Sequence, residues 1–424
     1  MMSHRRDCLK LALASAATWP LGAADPQKKV LSAPLTHSDW MLQPGVAWGP
    51  DGIHHMLDAC KASGWSHVYW RALDGGRANY RSRLIDPGMT VEEDGFYTPI
   101  RPEDVKLTET YTPSMTREAR LELARKINRL DYSTLDTLEE AVRYGHRIGL
   151  HIHAWISINE DDHGWGTPSR FTKSHLESRW RKRDGTFYRS QQSFAFDDVM
   201  RYKLAIVDEI LRGYDVDGLF LDWIRTGDVR DNPQTDAEGV ADHGYEQPLL
   251  DAFRTRYGID PLTLPNGDER WLRLRAEPHT EFLRRVRALT RSRPRRIPIA
   301  AMVAHPWCYR GMRNRIDGNL RGLLLDVTTW AREGLIDSAV AAGYYMAGGT
   351  PEMAYQTLRK ETEGRLDLWL YAWVPRTESE FHRDFTLAES LGVRRILYWE
   401  ADYIDARPNR EQLQQIMRGH AEQE

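Results

Sequence analysis

The sequence predicts a (β/α)8 barrel, in which eight parallel strands form the wall and helices cover it. Apolar runs with strand character alternate along the chain with amphipathic runs of helical spacing, an order typical of a parallel sheet covered by helices. Eight such strands can be counted, which is the number that closes this barrel. In such barrels the functional side chains lie in the loops at the C-terminal ends of the strands, so we expect them there.

The predicted strands and helices follow one another in order. The strands are expected at 45–48, 67–72, 150–158, 216–222, 297–303, 338–345, 368–373 and 395–400. Apolar spacing predicts helices at 53–63, 135–148, 199–213, 281–291 and 378–392, with Thr134 as the N-cap of the second. Long loops are expected after strand 2 (75–133) and strand 4 (226–280), because both connections exceed a simple crossover. Both should form walls of the pocket.

The N-terminus has the features of an export signal. Arg5 and Arg6 precede a small and apolar run at 9–21, so we predict a signal peptide at 1–24 that is removed. The string His-Arg-Arg-Asp-Cys-Leu-Lys resembles the twin-arginine export signal, although Cys8 stands where phenylalanine is usual. The mature protein is therefore predicted to be periplasmic or extracellular. Its single barrel domain is expected at 34–419.

Composition narrows the class of partner. The formal charge of −3 lacks the basic excess of a nucleic-acid binder, so nucleic acid is not expected as a partner. After the signal, no stretch approaches the ~20 apolar residues that span a bilayer, so no membrane span is expected. Fifteen Trp and eighteen Tyr suit the stacking of sugar rings, although ordinary barrel packing also uses such residues.

The fourth predicted strand carries the strongest candidate for catalysis. Gly218, Phe220 and Asp222 share one face of this strand, which we predict to point into the barrel. A carboxylate at the end of an apolar run is costly unless it is paired or used. Asp222 is therefore either catalytic or a structural partner of a nearby cation such as Arg225.

The third and eighth predicted strands add further carboxylates. On the third strand the alternating set His151, His153, Trp155 and Ser157 is predicted to face the interior, and Glu160 and Asp161 follow at the strand end. The eighth strand ends at Glu400, with Asp402 close behind. Cleavage of a glycosidic bond requires two carboxyl groups, one as acid and one as nucleophile or base. Glu400 is the preferred partner of Asp222, and Glu160, Asp161 and Asp402 remain alternatives.

The predicted substrate-binding residues are aromatic or basic. They are Arg71, His151, His153, Trp155, Trp223, Arg225, His305, Tyr344, Tyr371, Trp373 and Trp399. The indole and phenol rings would stack on sugars. Arg71 and Arg225 could bind a carboxylated or sulfated sugar, because a guanidinium is matched to such anions, but each could equally pair with a local Asp.

A metal-dependent hydrolase is a less favoured alternative. His151 and His153 point the same way on one strand, and His305 with Asp222 or Asp402 could complete a ligand set. However, the amidohydrolase barrels carry their His-x-His pair on the first strand, with further His ligands on the fifth and sixth. We therefore predict neither a metal nor another cofactor.

Three stretches together resemble the bacterial family-10-like glycosyl hydrolases. The first is Leu138-Glu-Glu-Ala-Val with Gly149-Leu-His-Ile-His-Ala-Trp155, and the second is the helix that leads into Tyr214-Asp-Val-Asp-Gly-Leu-Phe-Leu-Asp222. The third is the set of aromatic strand ends with the closing Tyr398-Trp399 strand. The resemblance implies carbohydrate as the substrate, often a cell-envelope or extracellular polysaccharide, and carries over to His153, Trp155 and Asp222. The chain departs from the family after Asp222, where Trp223-Ile-Arg225 replaces a second Asp.

Together these observations predict an exported glycoside hydrolase that acts on a polysaccharide or oligosaccharide. Asp222 is the expected nucleophile or base and Glu400 the expected acid. Because a barrel does not imply catalysis, a non-catalytic carbohydrate-binding barrel is the alternative from another class.

Overall fold

Eight parallel strands close into a barrel, as the sequence predicts. The computed structural model describes residues 28–36, 48–85, 131, 133–159, 161, 169–222, 236, 238–303, 319–341 and 350–422. Each strand pairs in parallel with the next, and the eighth pairs with the first, so the sheet has no open edge. The strands are β1 Val30–Leu35, β2 Trp65–Asp74, β3 His151–Ser157, β4 Gly218–Asp222, β5 Ile299–Met302, β6 Ser338–Ala341, β7 Asp367–Trp373 and β8 Arg395–Trp399.

Helices cover the outside of this barrel. They are α1 Pro50–Ala62, α2 Thr137–Arg147, α3 Arg170–Ser174, α4 Asp197–Gly213, α5 Gln247–Tyr257, α6 Glu269–Arg291, α7 Asn319–Leu323, α8 Val327–Glu333, α9 Pro351–Glu361, α10 Glu378–Ser390 and α11 Arg410–His420. Helix α2 begins two residues later than predicted, because the side chain of Asp136, not Thr134, accepts the Glu139 N–H. Within the described ranges, no helix is both long enough and apolar enough to span a bilayer.

The prediction for the first strand is wrong. Val30–Leu35 fills this position and pairs with both β8 and β2. Pro34 lies within this strand, and a proline lowers the strand signal because it lacks the N–H that a ladder uses. The run 45–48 ends at Trp48, which lies in a bend outside the strands, while its other residues lie outside the described ranges. The barrel thus includes residues before the predicted domain boundary at 34.

Two connections differ from the predicted loops. After β4, the predicted loop 226–280 contains α5 and the first half of α6. After β3, a hairpin of Arg179–Arg181 and Phe187–Gln192 was not predicted. Its turn contains Asp184 and Gly185, and Gly185 has a φ of 90°, which glycine adopts readily. This Asp-Gly pair is a typical hairpin signal.

The core has two shells, as the strand alternation predicts. Trp155 of β3 and Phe220 of β4 belong to a cluster inside the barrel, together with residues such as Tyr69, Met302 and Trp399. The alternate residues, including Ile152, Leu219 and Leu221, pack outward in the shell shared with the helices. Asp222 continues the inward-facing set of β4 and therefore lies at the C-terminal end of the barrel interior.

Candidate active site at the C-terminal end of the barrel

Asp222 is a buried carboxylate at the C-terminal end of β4. It is 1% exposed and lies in register with Ser157 of β3 and Met302 of β5. The indole Nε1–H of Trp155 donates a hydrogen bond to its Oδ2 over 3.3 Å. An N–H donor suits an ionised carboxylate as acceptor. The inward position predicted for Asp222 is thus observed.

Glu400 and Asp402 follow the end of β8 on the other side of the barrel. Both side chains are buried, at 7% and 9% exposure. Glu400 directly precedes the 3-10 turn Ala401–Ile404, in which Asp402 lies. Because β4 and β8 are four strands apart in the closed order, Asp222 and Glu400 lie at the ends of strands on opposite sides of the barrel. Glycosidic bond cleavage requires two carboxyl groups, so these two residues are the candidate pair.

Aromatic rings connect these two walls. The rings of Trp155 and Trp399 meet edge to face with their centroids 5.2 Å apart, and Tyr371 lies 5.8 Å from Trp399. These rings are buried, so they shape the floor of the mouth. Of the predicted aromatic residues in the described part, only Trp373 is largely exposed, at 45%. Its ring lies 6.2 Å from that of Tyr403, which is also exposed and was not predicted.

Arg71 is buried next to these rings, in register with Trp155 on the neighbouring strand β2. Its Nη2 lies 2.6 Å from Oδ1 of Asp74 and donates to Oγ of Ser157 over 3.0 Å. The guanidinium also lies over the Trp155 ring, 4.4 Å from the centroid. Asp74 compensates the charge that was expected to bind an anionic sugar, so the local Asp pairing left open by the sequence is the one observed. Asp74 itself was not predicted, although it stands three residues after Arg71 at the end of a strand.

Asp161 belongs to a buried ion pair. Its Oδ1 lies 2.5 Å from Nζ of Lys203, and both side chains are almost completely buried. Its Oδ2 accepts hydrogen bonds from Ser169 and Thr172. These contacts use both carboxylate oxygens, which favours a structural role over proton transfer.

The Asp161–Lys203 pair gives a stability prediction. Lys203→Met leaves a buried carboxylate without its cation and is expected to lower the free energy of unfolding by about 3–5 kcal/mol. Arg201→Ala removes an exposed ion pair with Asp198 on the same helix and should cost less than about 1 kcal/mol. Urea unfolding followed by circular dichroism measures both. Equal losses in the two variants would contradict a structural role for the buried pair.

His151 and His153 do not lie at the predicted substrate mouth, which corrects their assignment. His151 begins β3 and is exposed, and His153 lies in register with Gly218 at the start of β4. Ser157, the neighbour of Asp222, lies four positions after His153, which is about 13 Å along a strand. His153 shares the inward-facing side of β3 with Trp155, but it lies deeper in the barrel than a residue at the substrate mouth. The two histidines cannot share one metal ion with Asp222.

Two buried histidines near the N-terminal end of the barrel, His67 and His153, have lowered pKa values. Burial, followed by the charges of Arg395 and His151, lowers the pKa of His67 from 6.5 to about 3. Burial also lowers the pKa of His153 well below 6.5. The folded protein therefore resists protonation that the unfolded chain accepts.

We expect the free energy of unfolding to fall as the pH drops below about 6.5, because only the unfolded chain then binds these protons. The stabilisation that comes from keeping these histidines neutral is fully present above pH ~6.5 and is lost as the pH falls towards ~3. The free energy of unfolding then changes by up to about 1.4 kcal/mol per pH unit for each histidine. His67→Gln should flatten this dependence between pH ~6.5 and ~4.5, and the exposed His382→Gln should not. Urea unfolding across this range is the measurement, and parallel curves for wild type and His67→Gln would contradict it.

Five of the predicted residues lie outside the described part of the chain. They are Glu160, Trp223, Arg225, His305 and Tyr344. Within the described ranges, no group of three His, Cys, Asp or Glu side chains is arranged to hold a metal ion.

Comparisons with known proteins define the class of fold. No family model matches the chain. The structure is similar to the PgaB (BpsB) glycoside hydrolase domain of Bordetella bronchiseptica, with a TM-score of 0.55 and 15% identity over 92% of this chain and 99% of that one. It is also similar to the catalytic domain of a beta-amylase from Paenibacillus polymyxa, with a TM-score of 0.54 and 12% identity over 95% of this chain and 100% of that one. The chain thus has the (β/α)8 fold of these glycoside hydrolases.

One sequence relative adds a second finding. An alignment 318 residues long, which covers 64% of this chain, shows 24% identity to an S-layer-related protein of Niallia circulans. The match covers 19% of that protein, so the chain spans about a fifth of the length of the curated relative that it matches.

Proposed function

We propose that this protein is an exported glycoside hydrolase that cleaves a polysaccharide or oligosaccharide. The observation that carries the proposal is the pair of buried carboxyl groups, Asp222 and Glu400, at the C-terminal ends of two opposed barrel strands. The C-terminal end is where barrels of this fold carry their chemistry. The resemblance to family-10-like glycosyl hydrolases supports the same activity through Trp155 and Asp222, while Glu400 rests on its position alone.

The roles of the two carboxyl groups follow from their surroundings. Asp222 receives the Trp155 indole N–H, which orients the carboxylate as an acceptor, so it is assigned as nucleophile or base. Glu400 is assigned as the acid that protonates the leaving oxygen. Asp402, two residues on, and Glu160, which follows β3 in the sequence, are the competing candidates for that acid.

The exposed rings of Trp373 and Tyr403 provide a place for the sugar chain. Both lie at the C-terminal end, at the end of β7 and just beyond the end of β8. An exposed indole next to a phenol is a typical stacking surface for pyranose rings. The glycan would therefore cross the mouth over these rings with its scissile bond between Asp222 and Glu400.

The function is tested by reducing-sugar release from neutral, uronic, sulfated and peptidoglycan-derived glycans. Release from one glycan class by the wild-type protein supports a glycosidase and identifies the substrate class. Release that stops with a chelator and returns with a divalent ion would instead support a metal hydrolase. Binding without release on every glycan would support the non-catalytic carbohydrate-binding barrel.

Export is the second part of the proposal. The twin arginines at 5 and 6 and the apolar run after them support it, as does the similarity to an S-layer-related protein. Replacing both arginines by lysine is expected to retain the protein in the cytoplasm, which cell fractionation measures. Unchanged export of that variant would rule out the twin-arginine route.

The variant Arg71→Met tests whether Arg71 positions the Trp155 ring or binds the substrate directly. Because it supports the Trp155 ring that donates to Asp222, Arg71→Met is expected to lower kcat about 10- to 100-fold with a smaller change in KM. The indole ¹⁵N–¹H resonance of Trp155, assigned by its loss in Trp155→Phe, should also shift. The control is Arg212→Met, which changes an exposed arginine of α4. A raised KM with unchanged kcat would instead make Arg71 a direct ligand of the substrate.

A further inference from the structure

Two exposed aromatic rings belong to residues that adjoin Glu400 at the C-terminal end of the barrel. Trp373 ends β7, two positions after the interior residue Tyr371, and is in register with Trp399. The Tyr403 N–H donates to the carbonyl oxygen of Glu400 over 3.1 Å. The side chains of Trp373 and Tyr403 are 45% and 39% exposed. A sugar stacked on these two rings would therefore lie close to the proposed acid.

Arg407 brings a positive charge to the same rings. Its guanidinium carbon lies 5.9 Å from the centroid of the Tyr403 ring, and its Nη2 donates to the carbonyl oxygen of Val374 over 3.0 Å. The Nδ2 of Asn409 donates to the carbonyl oxygen of Arg376 over 3.2 Å. Two hydrogen bonds thus hold the segment that follows β8 against the residues that follow β7, and the guanidinium of Arg407 is anchored between them.

The charge of Arg407 is not cancelled by an ion pair. Within the part of the chain that the structure describes, its guanidinium pairs with no carboxylate, and its Nη1 makes no hydrogen bond. Glu380 pairs with Arg376 instead, with Nε and Oε1 3.3 Å apart. Burial, followed by the positive charge of Arg376, lowers the pKa of Arg407, and the charges of Glu380 and Asp402 do not reverse this. A guanidinium with a remaining donor and no carboxylate partner is a typical site for a carboxylate or sulfate group.

We propose that the sugar stacked on Trp373 and Tyr403 is anionic and that Arg407 binds its carboxylate or sulfate group. The inference rests on the proposed function, because it takes the same two rings as the path of the glycan, and it adds the class of sugar that binds there. A pyranose packs its C–H face on the indole while a charged substituent at its edge reaches the guanidinium. The exposed Arg376 adds a second and weaker contact. Arg407 is then the residue that determines specificity at this subsite.

The test is a titration of the mature protein, followed by the indole ¹⁵N–¹H resonance of Trp373, which is assigned by its loss in Trp373→Phe. The ligands are glucuronic, galacturonic and mannuronic acids and the 6-sulfates of glucose and galactose, each beside its neutral parent sugar. At least one anionic sugar should shift the resonance in a saturable way and bind about 10- to 100-fold more tightly than its parent. The tighter ligands identify the anionic group as a carboxylate or a sulfate.

Three variants locate the preference. Arg407→Met should abolish it and leave the affinity for the neutral sugars within about twofold of the wild type, so the neutral sugars also report that the subsite is folded. Arg376→Gln changes an exposed side chain and should weaken the anionic sugars by a smaller factor. The control is Arg418→Met, which removes the same charge from an exposed arginine of α11 that lies against Gly64, before the start of β2. It should leave every affinity unchanged.

The proposal is overturned if no sugar shifts the Trp373 resonance, if every anionic sugar binds no more tightly than its parent, or if Arg407→Met and Arg418→Met behave alike. None of these results depends on turnover, because a free monosaccharide contains no glycosidic bond to cleave. A titration without an anionic preference therefore leaves the hydrolysis through Asp222 standing. Conversely, a preference that depends on Arg407 without release from any glycan would assign the subsite to a carbohydrate-binding barrel.

Discussion

Asp222→Asn is expected to lower kcat on the glycan substrate by at least about 10³-fold. Asparagine has nearly the same shape and its amide oxygen still accepts the Trp155 N–H, so the barrel should fold unchanged. However, an amide can neither attack the anomeric carbon nor take a proton from water. Initial rates of reducing-sugar release, measured beside the wild type, give the ratio.

The matched control for this variant is Asp198→Asn. Asp198 is an exposed aspartate in the first turn of α4 that pairs with Arg201, and its replacement should leave kcat within about twofold of the wild type. Similar kcat values for Asp222→Asn and Asp198→Asn would remove Asp222 from the mechanism and leave it as a buried structural carboxylate.

Glu400→Gln is expected to have an effect that depends on the leaving group. If Glu400 protonates the departing oxygen, its loss should lower kcat about 10²- to 10⁴-fold on natural glycans, whose leaving groups need the proton. An acidic phenol departs as the phenolate without protonation. The variant should therefore keep most of its rate on an aryl glycoside that carries such a phenol. Rates on the two substrate types, measured for wild type and variant, separate acid catalysis from misfolding.

Asp402→Asn is the matched comparison for Glu400. Both side chains are buried beyond the end of β8 and only two residues separate them. The acid is the residue whose replacement produces the leaving-group dependence. If Asp402→Asn shows it and Glu400→Gln does not, Asp402 takes the role. If neither does, Glu160, which follows β3 in the sequence, is the remaining candidate.

The barrel could be predicted because its strands carry a local signal. Alternation on β3 and β4 assigned Trp155, Phe220 and Asp222 to the interior and Ile152 and Leu219 to the outer shell, as observed. A strand with weak local signal was missed. β1 contains Pro34 and derives its stability from two parallel neighbours, which are distant in sequence.

Site residues were harder to predict because a side chain's depth along the barrel depends on the register of neighbouring strands. His153 and Trp155 point the same way, but Gly218 in register with His153 places it near the N-terminal end. The buried ion pair of Asp161 is equally non-local. Lys203 of α4 contacts Asp161 across 42 residues of sequence, and residue spacing cannot reveal such a contact.

In the proposed function, the mouth between β4 and β8 hydrolyses glycans through Asp222. Turnover and binding, measured together on wild type and Asp222→Asn with the same glycan panel, test this function. We predict release by wild type alone and comparable glycan affinity for both proteins. Equal binding with no release by either protein would contradict this function and identify the barrel as a carbohydrate-binding protein.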